Sequence, residues 1–271
     1  MQTMSSEKPL AVVTGASSGI GYELAKQFAV HGFDLLVAAE DTAIENAARD
    51  FEQEGATARA VQVDLATYDG VEKLCEAIYS TGRPVEAIAI NAGVGVGGDF
   101  ARETDFNAEL NLINLNVLST VHLAKRVIRE MVARHHGRVL ITSSIAGTMP
   151  TPLEAVYGAS KAFGLSFAAS LRHELKDTGV TVTALMPGPT DTNFFHRAGL
   201  DDTRVGTEEK LKNSAAEVAE QGYKALMAGK DRVVAGNLAT KLEGHAARFT
   251  PESVKAERHK KMAEHGSTKK P

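Results

Sequence analysis

The feature that most constrains this chain is a regular alternation of short apolar runs with longer helix-period patterns. The short runs are Leu10–Thr14, Asp34–Ala39, Ala58–Val63, Val85–Asn91, Arg138–Thr142, Val180–Met186 and Arg232–Ala235. They are mostly β-branched or Ala-rich and bounded by Gly, Pro or Asp, as strands are. Helical patterns fill about 19–31, 42–54, 68–81, 106–135, 154–177 and 214–228 between them. Gly32, Gly55, Gly137, Gly179 and Gly229 follow five of these, where C-terminal caps belong. Strands that look buried on both faces and alternate with helices make a parallel sheet covered on both sides. The expected fold class is α/β, a doubly wound parallel sheet of about seven strands. Ligands of such sheets sit beyond the carboxyl ends of the strands.

With 271 residues, the chain could be one large domain or two small ones. It shows neither internal repeats nor a low-complexity linker, so 1–271 reads as a single domain with a core over 8–240. Within that core, 188–213 is a long connection of the kind that often forms a lid. The end, 241–271, is a basic C-terminal tail with eight Lys/Arg against four Glu. A solvated, partly helical end is favoured for it over an interaction arm. The net charge of −4 gives no pointer to nucleic acid or an anionic membrane. Cys75 is the only cysteine, which excludes an internal disulfide and a cysteine-based zinc cluster and fits a reducing compartment. The polar start, Met1–Pro9, lacks an apolar signal core, and no run approaches the ~20 apolar residues of a membrane span. A soluble, cytoplasmic protein is expected.

Gly15-Ala16-Ser17-Ser18-Gly19-Ile20-Gly21 follows the first strand and opens the first helix. Glycines there allow a tight turn and let the backbone approach a pyrophosphate, whose charge the helix N-terminus favours. The spacing is Gly-x3-Gly-x-Gly rather than the commoner Gly-x-Gly-x2-Gly. The same residues satisfy Gly-x-Ser-x-Gly, a nucleophile elbow, with Ser17 as nucleophile and His196 or His245 as base. Against a serine hydrolase, this turn sits on the first strand, with no preceding sheet to carry an oxyanion-hole loop.

Tyr157-Gly158-Ala159-Ser160-Lys161 places a phenol and an ammonium on one helix face, with Ser144 thirteen residues upstream of the tyrosine. A nearby cation can lower a phenol's pKa by roughly 1–3 units from its usual value near 10. A serine hydroxyl could orient a substrate oxygen beside it. Such a set suits moving a proton on and off a carbinol oxygen.

With the glycine turn, Ser144, Tyr157 and Lys161 in order, the chain resembles the short-chain dehydrogenase/reductase family, whose sheet is Rossmann-like. The resemblance runs from about residue 8 to 236 and extends to Asn91-Ala92-Gly93, Asn116, Pro187-Gly188 and Asp64. It implies an oxidoreductase passing hydride between NAD(P)(H) and an alcohol or ketone. Tyr157 would be the general acid/base. Lys161 would depress its pKa and bind the nicotinamide ribose, and Ser144 would hold the substrate oxygen. Asn116, chosen over Asn111 and Asn114 by the Val-Leu-Ser-Thr that follows it, would position a water leading from Lys161 to solvent. Gly15, Ser17, Ser18, Gly19, Ile20, Gly21, Asp64, Asn91, Ala92, Gly93, Pro187 and Gly188 would line the cofactor site. Thr190 and Thr192 would meet the carboxamide. No metal is required.

The end of the second strand carries Glu40 and Asp41, which would repel a 2′-phosphate. NAD(H) is therefore expected, although the usual family acid would align with Ala39. The alternative is an NADP(H)-dependent ketone or 3-oxoacyl reductase; a dinucleotide-binding regulator without turnover is more distant. Met149–Leu153 and the lid around Phe194, Phe195 and His196 suggest a mainly apolar substrate. The family resemblance also implies a homodimer or homotetramer built on the helices at 106–135 and 154–177.

Overall fold

A computed structural model describes residues 7–246 and 250–266. Seven strands form one sheet: β1 (Leu10–Thr14), β2 (Asp34–Ala39), β3 (Ala58–Gln62), β4 (Val85–Ile90), β5 (Gly137–Thr142), β6 (Val180–Pro187) and β7 (Arg232–Ala235). Their order is β3-β2-β1-β4-β5-β6-β7 and every pairing is parallel. Every residue of β1 and β2 is buried, so the central strands lack polar alternation, whereas edge strand β3 is mostly part-exposed.

Successive side chains point to opposite faces, and each face has its own core. Val12, Leu36, Ile88, Ile141 and Val182 point to one side. There they meet Leu74 of α3 (Tyr68–Tyr79), Leu123 and Val127 of α5 (Ser119–Ala133), and Ala168 of α6 (Ala155–Glu174). Ala11, Val13, Leu35, Val37 and Leu140 point to the other. They meet Leu24 and Phe28 of α1 (Gly19–Val30), Phe51 of α2 (Ala43–Gln53) and Leu226 of α9 (Ala215–Met227). Fully burying one such Phe or Leu contributes about 1.5–3 kcal/mol.

From β3 at one edge the chain returns to β4 on the far side of β1. The strand order reverses between β1 and β4, which opens a crevice beyond their carboxyl ends. Most of the residues expected to form the site collect there.

Two local expectations need correction. The pattern over 106–135 predicts one helix, but α4 (Phe106–Ile113) and α5 are separated by a π-helical turn, Asn114–Leu118. Gly32, Gly55, Gly179 and Gly229 do take the left-handed conformation after their helices, yet Gly137 does not. It opens β5, and His135 carries the positive φ of 55° instead. A Cβ on Gly137 would lie 2.5 Å from Met131, so packing rather than capping demands that glycine.

The 188–213 connection contains short helices α7 (Phe194–Arg197) and α8 (Arg204–Thr207). After β7 come α10 (Leu238–Ala246) and α11 (Glu252–Ala263). The segment expected as a solvated end buries Lys255, His259 and Ala263 of α11. These recur every fourth residue and form the stripe by which a helix docks. Among the described residues, no helix is long and apolar enough to cross a membrane.

Candidate active site

The turn after β1 is shaped by what a side chain would strike. Gly15 and Gly19 have φ of +66° and +58°. A Cβ on Gly21 would lie 2.0 Å from the Gly15 carbonyl oxygen and 2.5 Å from Asn91 Nδ2. Ser18 caps α1 without a side-chain hydrogen bond, which leaves the first-turn N–H groups facing the crevice for an anion. Asn91 holds three strands together. Its backbone N–H donates to Thr14 Oγ1 (2.9 Å), its Nδ2 donates to the Thr14 carbonyl (3.1 Å), and its Oδ1 accepts from Thr142 Oγ1 (3.0 Å). The cradle, its bare helix N-terminus and the glycine-enforced close approach fit a dinucleotide.

At the other end of the crevice lie Ser144, Tyr157 and Lys161. Ser144 follows β5, and its Oγ accepts the Ala146 N–H (3.1 Å) and donates to the Pro187 carbonyl (3.3 Å). Tyr157 and Lys161 occupy one face of α6, with Lys161 Nζ 5.6 Å from the phenol ring centre. Lys161 Nζ donates to the Thr142 carbonyl (3.3 Å), and Ser143 Oγ donates to the Lys161 carbonyl (2.6 Å). Gly147 lets the loop after β5 press on α6, since a Cβ there would lie 2.7 Å from the Lys161 carbonyl carbon.

The acid–base state differs from the expectation that Lys161 depresses Tyr157. Burial pushes the Tyr157 pKa well above the usual phenol range, and the Glu154 carboxylate pushes the same way. A hydrogen bond with Ser144 opposes them. Burial also lowers the Lys161 pKa, to about 8. Desolvation is the leading cause of both shifts.

One groove joins both ends. It is lined by Gly15, Ser17, Ser18, Gly19, Ile20, Gly21, Glu40, Asp64, Asn91, Ala92, Gly93, Ser144, Tyr157, Lys161, Pro187, Gly188, Thr190 and Thr192. Asn116 is the predicted residue that stays outside. It sits in the π turn behind the groove wall, where Oδ1 accepts the Val94 N–H (3.0 Å). Its Nδ2 donates to the Val94 carbonyl (2.9 Å) and to Ser160 Oγ (3.0 Å). Its side chain therefore braces the wall beside Lys161. Asp64 lines the groove while its Oδ1 accepts the Ala66 N–H (2.8 Å).

Sequence reasoning missed Arg197, Glu154 and His259. Arg197 of α7 reaches Glu40 (3.6 Å) and Asp41 (3.5 Å), and Phe194 of the same short helix packs on Tyr157 with ring centres 5.1 Å apart. The 188–213 connection thus touches both ends of the groove. Glu154, one helical turn before Tyr157, was the one of the three with a readable signal. The serine-hydrolase geometry is not formed with His196: Ser17 Oγ donates to Asp41 (2.9 Å) and His196 pairs with Asp201 (3.0 Å). The His245 side chain lies outside the described residues.

A family model described as short chain dehydrogenase matches residues 9–202. A 3-oxoacyl-(acyl-carrier-protein) reductase of Escherichia coli is 32% identical over 204 residues, covering 75% of this chain and 82% of that protein. An uncharacterized oxidoreductase of Bacillus subtilis is 30% identical over 190 residues, 69% and 77% of the two chains. Among solved structures, a short-chain dehydrogenase from Sphingobium yanoikuyae in complex with NADPH aligns with a TM-score of 0.79 at 26% identity. That alignment covers 97% of this chain and 98% of the other. An actinorhodin polyketide ketoreductase with NADPH aligns with a TM-score of 0.76 at 27% identity, over 84% and 95%.

Proposed function

The chain belongs to the short-chain dehydrogenase family, and from that premise we propose that Tyr157 is the general acid/base of hydride transfer between a nicotinamide dinucleotide and an alcohol or ketone. The observation that carries this reading is the groove itself, which runs from the glycine cradle to Ser144, Tyr157 and Lys161. When bound, the dinucleotide supplies or accepts the hydride. Burial keeps the Tyr157 hydroxyl protonated, so a donor is present for a carbonyl oxygen near neutral pH. Ser144 holds that oxygen and hydrogen-bonds the phenol. As the proton leaves Tyr157, charge grows on the phenol, and the Lys161 ammonium on the same helix face offsets it. Asn116 keeps the wall beside Lys161 in register through Val94 and Ser160.

At the adenosine end, two acids face one cation. Glu40 and Asp41 against Arg197 leave a net negative corner, which supports NAD(H) as the preferred cofactor. Arg197, together with the NADPH complexes of the similar structures, favours the second reading, an NADP(H)-dependent ketone or 3-oxoacyl reductase. A 2′-phosphate would draw that guanidinium off the carboxylates.

A cofactor-coupled absorbance screen of ketones and alcohols with both nicotinamides, run on wild type and Tyr157→Phe, tests these assignments. The variant should lose turnover by about 10²–10⁴-fold while still binding dinucleotide. Undiminished turnover in the variant rejects Tyr157 as the acid/base. A higher kcat/KM with NADPH than with NADH rejects the cofactor assignment and leaves the reaction standing.

A further inference from the structure

Glu154 stands at the mouth of α6, immediately before its first residue. It lines the groove and is only 6% exposed, and none of the hydrogen bonds among the described residues reaches its carboxylate. Beside it is His259 of α11, 8% exposed and lining the same groove. His259 Nε2 lies 3.0 Å from Glu154 Oε2 but off the line of a hydrogen bond, so that buried nitrogen has no hydrogen-bond partner among the described residues. The surrounding wall is apolar, with Met149, Phe194, Phe195, Val205 and Met262.

Docking of α11 has contacts besides this pair. Lys255 Nζ donates to the Thr148 carbonyl (3.2 Å) and pairs with Glu252 (2.6 Å), and His265, just beyond the helix, pairs with Asp202 (2.6 Å). Met262 packs on the cluster of Phe195, Ala198, Leu200 and Val205. The Glu154–His259 pair therefore sits in the groove as two polar groups with unused capacity, next to the reacting end.

The chemistry of that capacity selects a ligand group. A carboxylate only accepts hydrogen bonds, and an imidazole with its proton on Nε2 donates there. A carbonyl could satisfy the imidazole alone, and an ammonium the carboxylate alone. A hydroxyl donates to one and accepts from the other. We propose that Glu154 and His259 form a polar subsite that takes a second hydroxyl of the substrate, one that does not react, so that the enzyme's substrates are hydroxylated ketones and the matching diols or polyols. This replaces the mainly apolar substrate expected from the lid, and it rests on the dehydrogenase reading above.

The test measures kcat/KM for cyclohexanone and its monohydroxylated derivatives with wild type, Glu154→Gln, His259→Gln and the Glu154→Leu/His259→Leu double variant. Wild type should prefer at least one hydroxylated ketone over the parent by about tenfold or more. Each variant should lose most of that preference, with the loss appearing in KM for the hydroxylated ketone. Equal use of parent and hydroxylated ketones by wild type overturns the subsite. So does an equal loss on all ketones in the variants, which is the mark of a pair that only tethers α11. If no ketone is reduced at all, the dehydrogenase reading fails, and the subsite is then judged by binding. Cyclohexanediols must then protect wild type from thermal unfolding more than cyclohexanol does, and an equal effect overturns it.

Discussion

Lys161 Nζ donates to the Thr142 carbonyl and makes no ion pair among the described residues. Its burial lowers the pKa from the ordinary 10.5 to about 8. Above 10.5 the lysine is neutral whether the chain is folded or unfolded, and its ionisation costs nothing. As pH falls from 10.5 to about 8, the unfolded chain takes the proton first and stability drops. Below about 8 the cost is complete, on the order of 3 kcal/mol at about 1.4 kcal/mol per pH unit of displacement. In the proposed mechanism this destabilising charge stands where Tyr157 needs a cation as its proton leaves. Lys161→Met should therefore abolish turnover and raise the unfolding temperature by several degrees near neutral pH. The gain should shrink as pH approaches 10.5. Thermal melts of both proteins across that range check it, and a variant less stable than wild type at neutral pH contradicts it.

Among the elements, the glycine cradle makes the sharpest demand on sequence. A Cβ at Gly21 would lie 2.0 Å from the Gly15 carbonyl oxygen, whereas one at Gly32 would meet nothing within 4 Å. Gly21→Ala must open the turn, so dinucleotide affinity should fall about tenfold or more. Gly32→Ala keeps a left-handed φ of +84° and should cost only stability, about 1 kcal/mol, with affinity intact. Fluorescence titration with each nicotinamide separates the two outcomes. Cradle and strands were legible in the sequence because each signal is local. The bounds of β1, β2 and β7 coincide with those read from apolar runs closed by breakers. The break between α4 and α5 was hidden, because a π turn adds one residue without leaving a Gly or Pro to mark it. What holds Asn116 there is its bonds to Val94 and Ser160, both distant in sequence. The short helices α7 and α8 are four residues each, too brief for any periodicity to register. The raised pKa of Tyr157 was equally hidden, since spacing gives the neighbouring charge but not the depth of burial.

Across the whole molecule, the reacting end of the groove is closed by parts that the strand–helix alternation does not contain. The 188–213 connection lays Phe194 on Tyr157, and α11 returns from the C-terminal side to pack on that connection. Lys255, His259 and Ala263 form the buried stripe, and His265 pairs with Asp202 beyond α7. The composition of 241–271 shows charge, and charge alone suggests a solvated end. The apolar stems and the stripe every fourth residue are what bury it. The glycine turn, by contrast, runs from β1 into α1 and packs on Ala38 of β2 and on Asn91 and Ala92 after β4, while α11 packs on α8 and on the cluster around Phe195. Removing α11 by ending the chain after Thr250 should therefore divide the two functions. Phe195, Leu200 and Val205 would lose the cover of Met262, so KM for a ketone should rise about tenfold or more. The unfolding temperature should fall by a few degrees. Dinucleotide affinity, measured by titration of the same protein, should stay within about threefold, under 1 kcal/mol. A parallel loss of ketone and dinucleotide binding would instead mean that α11 holds the lid, and through Arg197 the adenosine corner, as one cooperative piece.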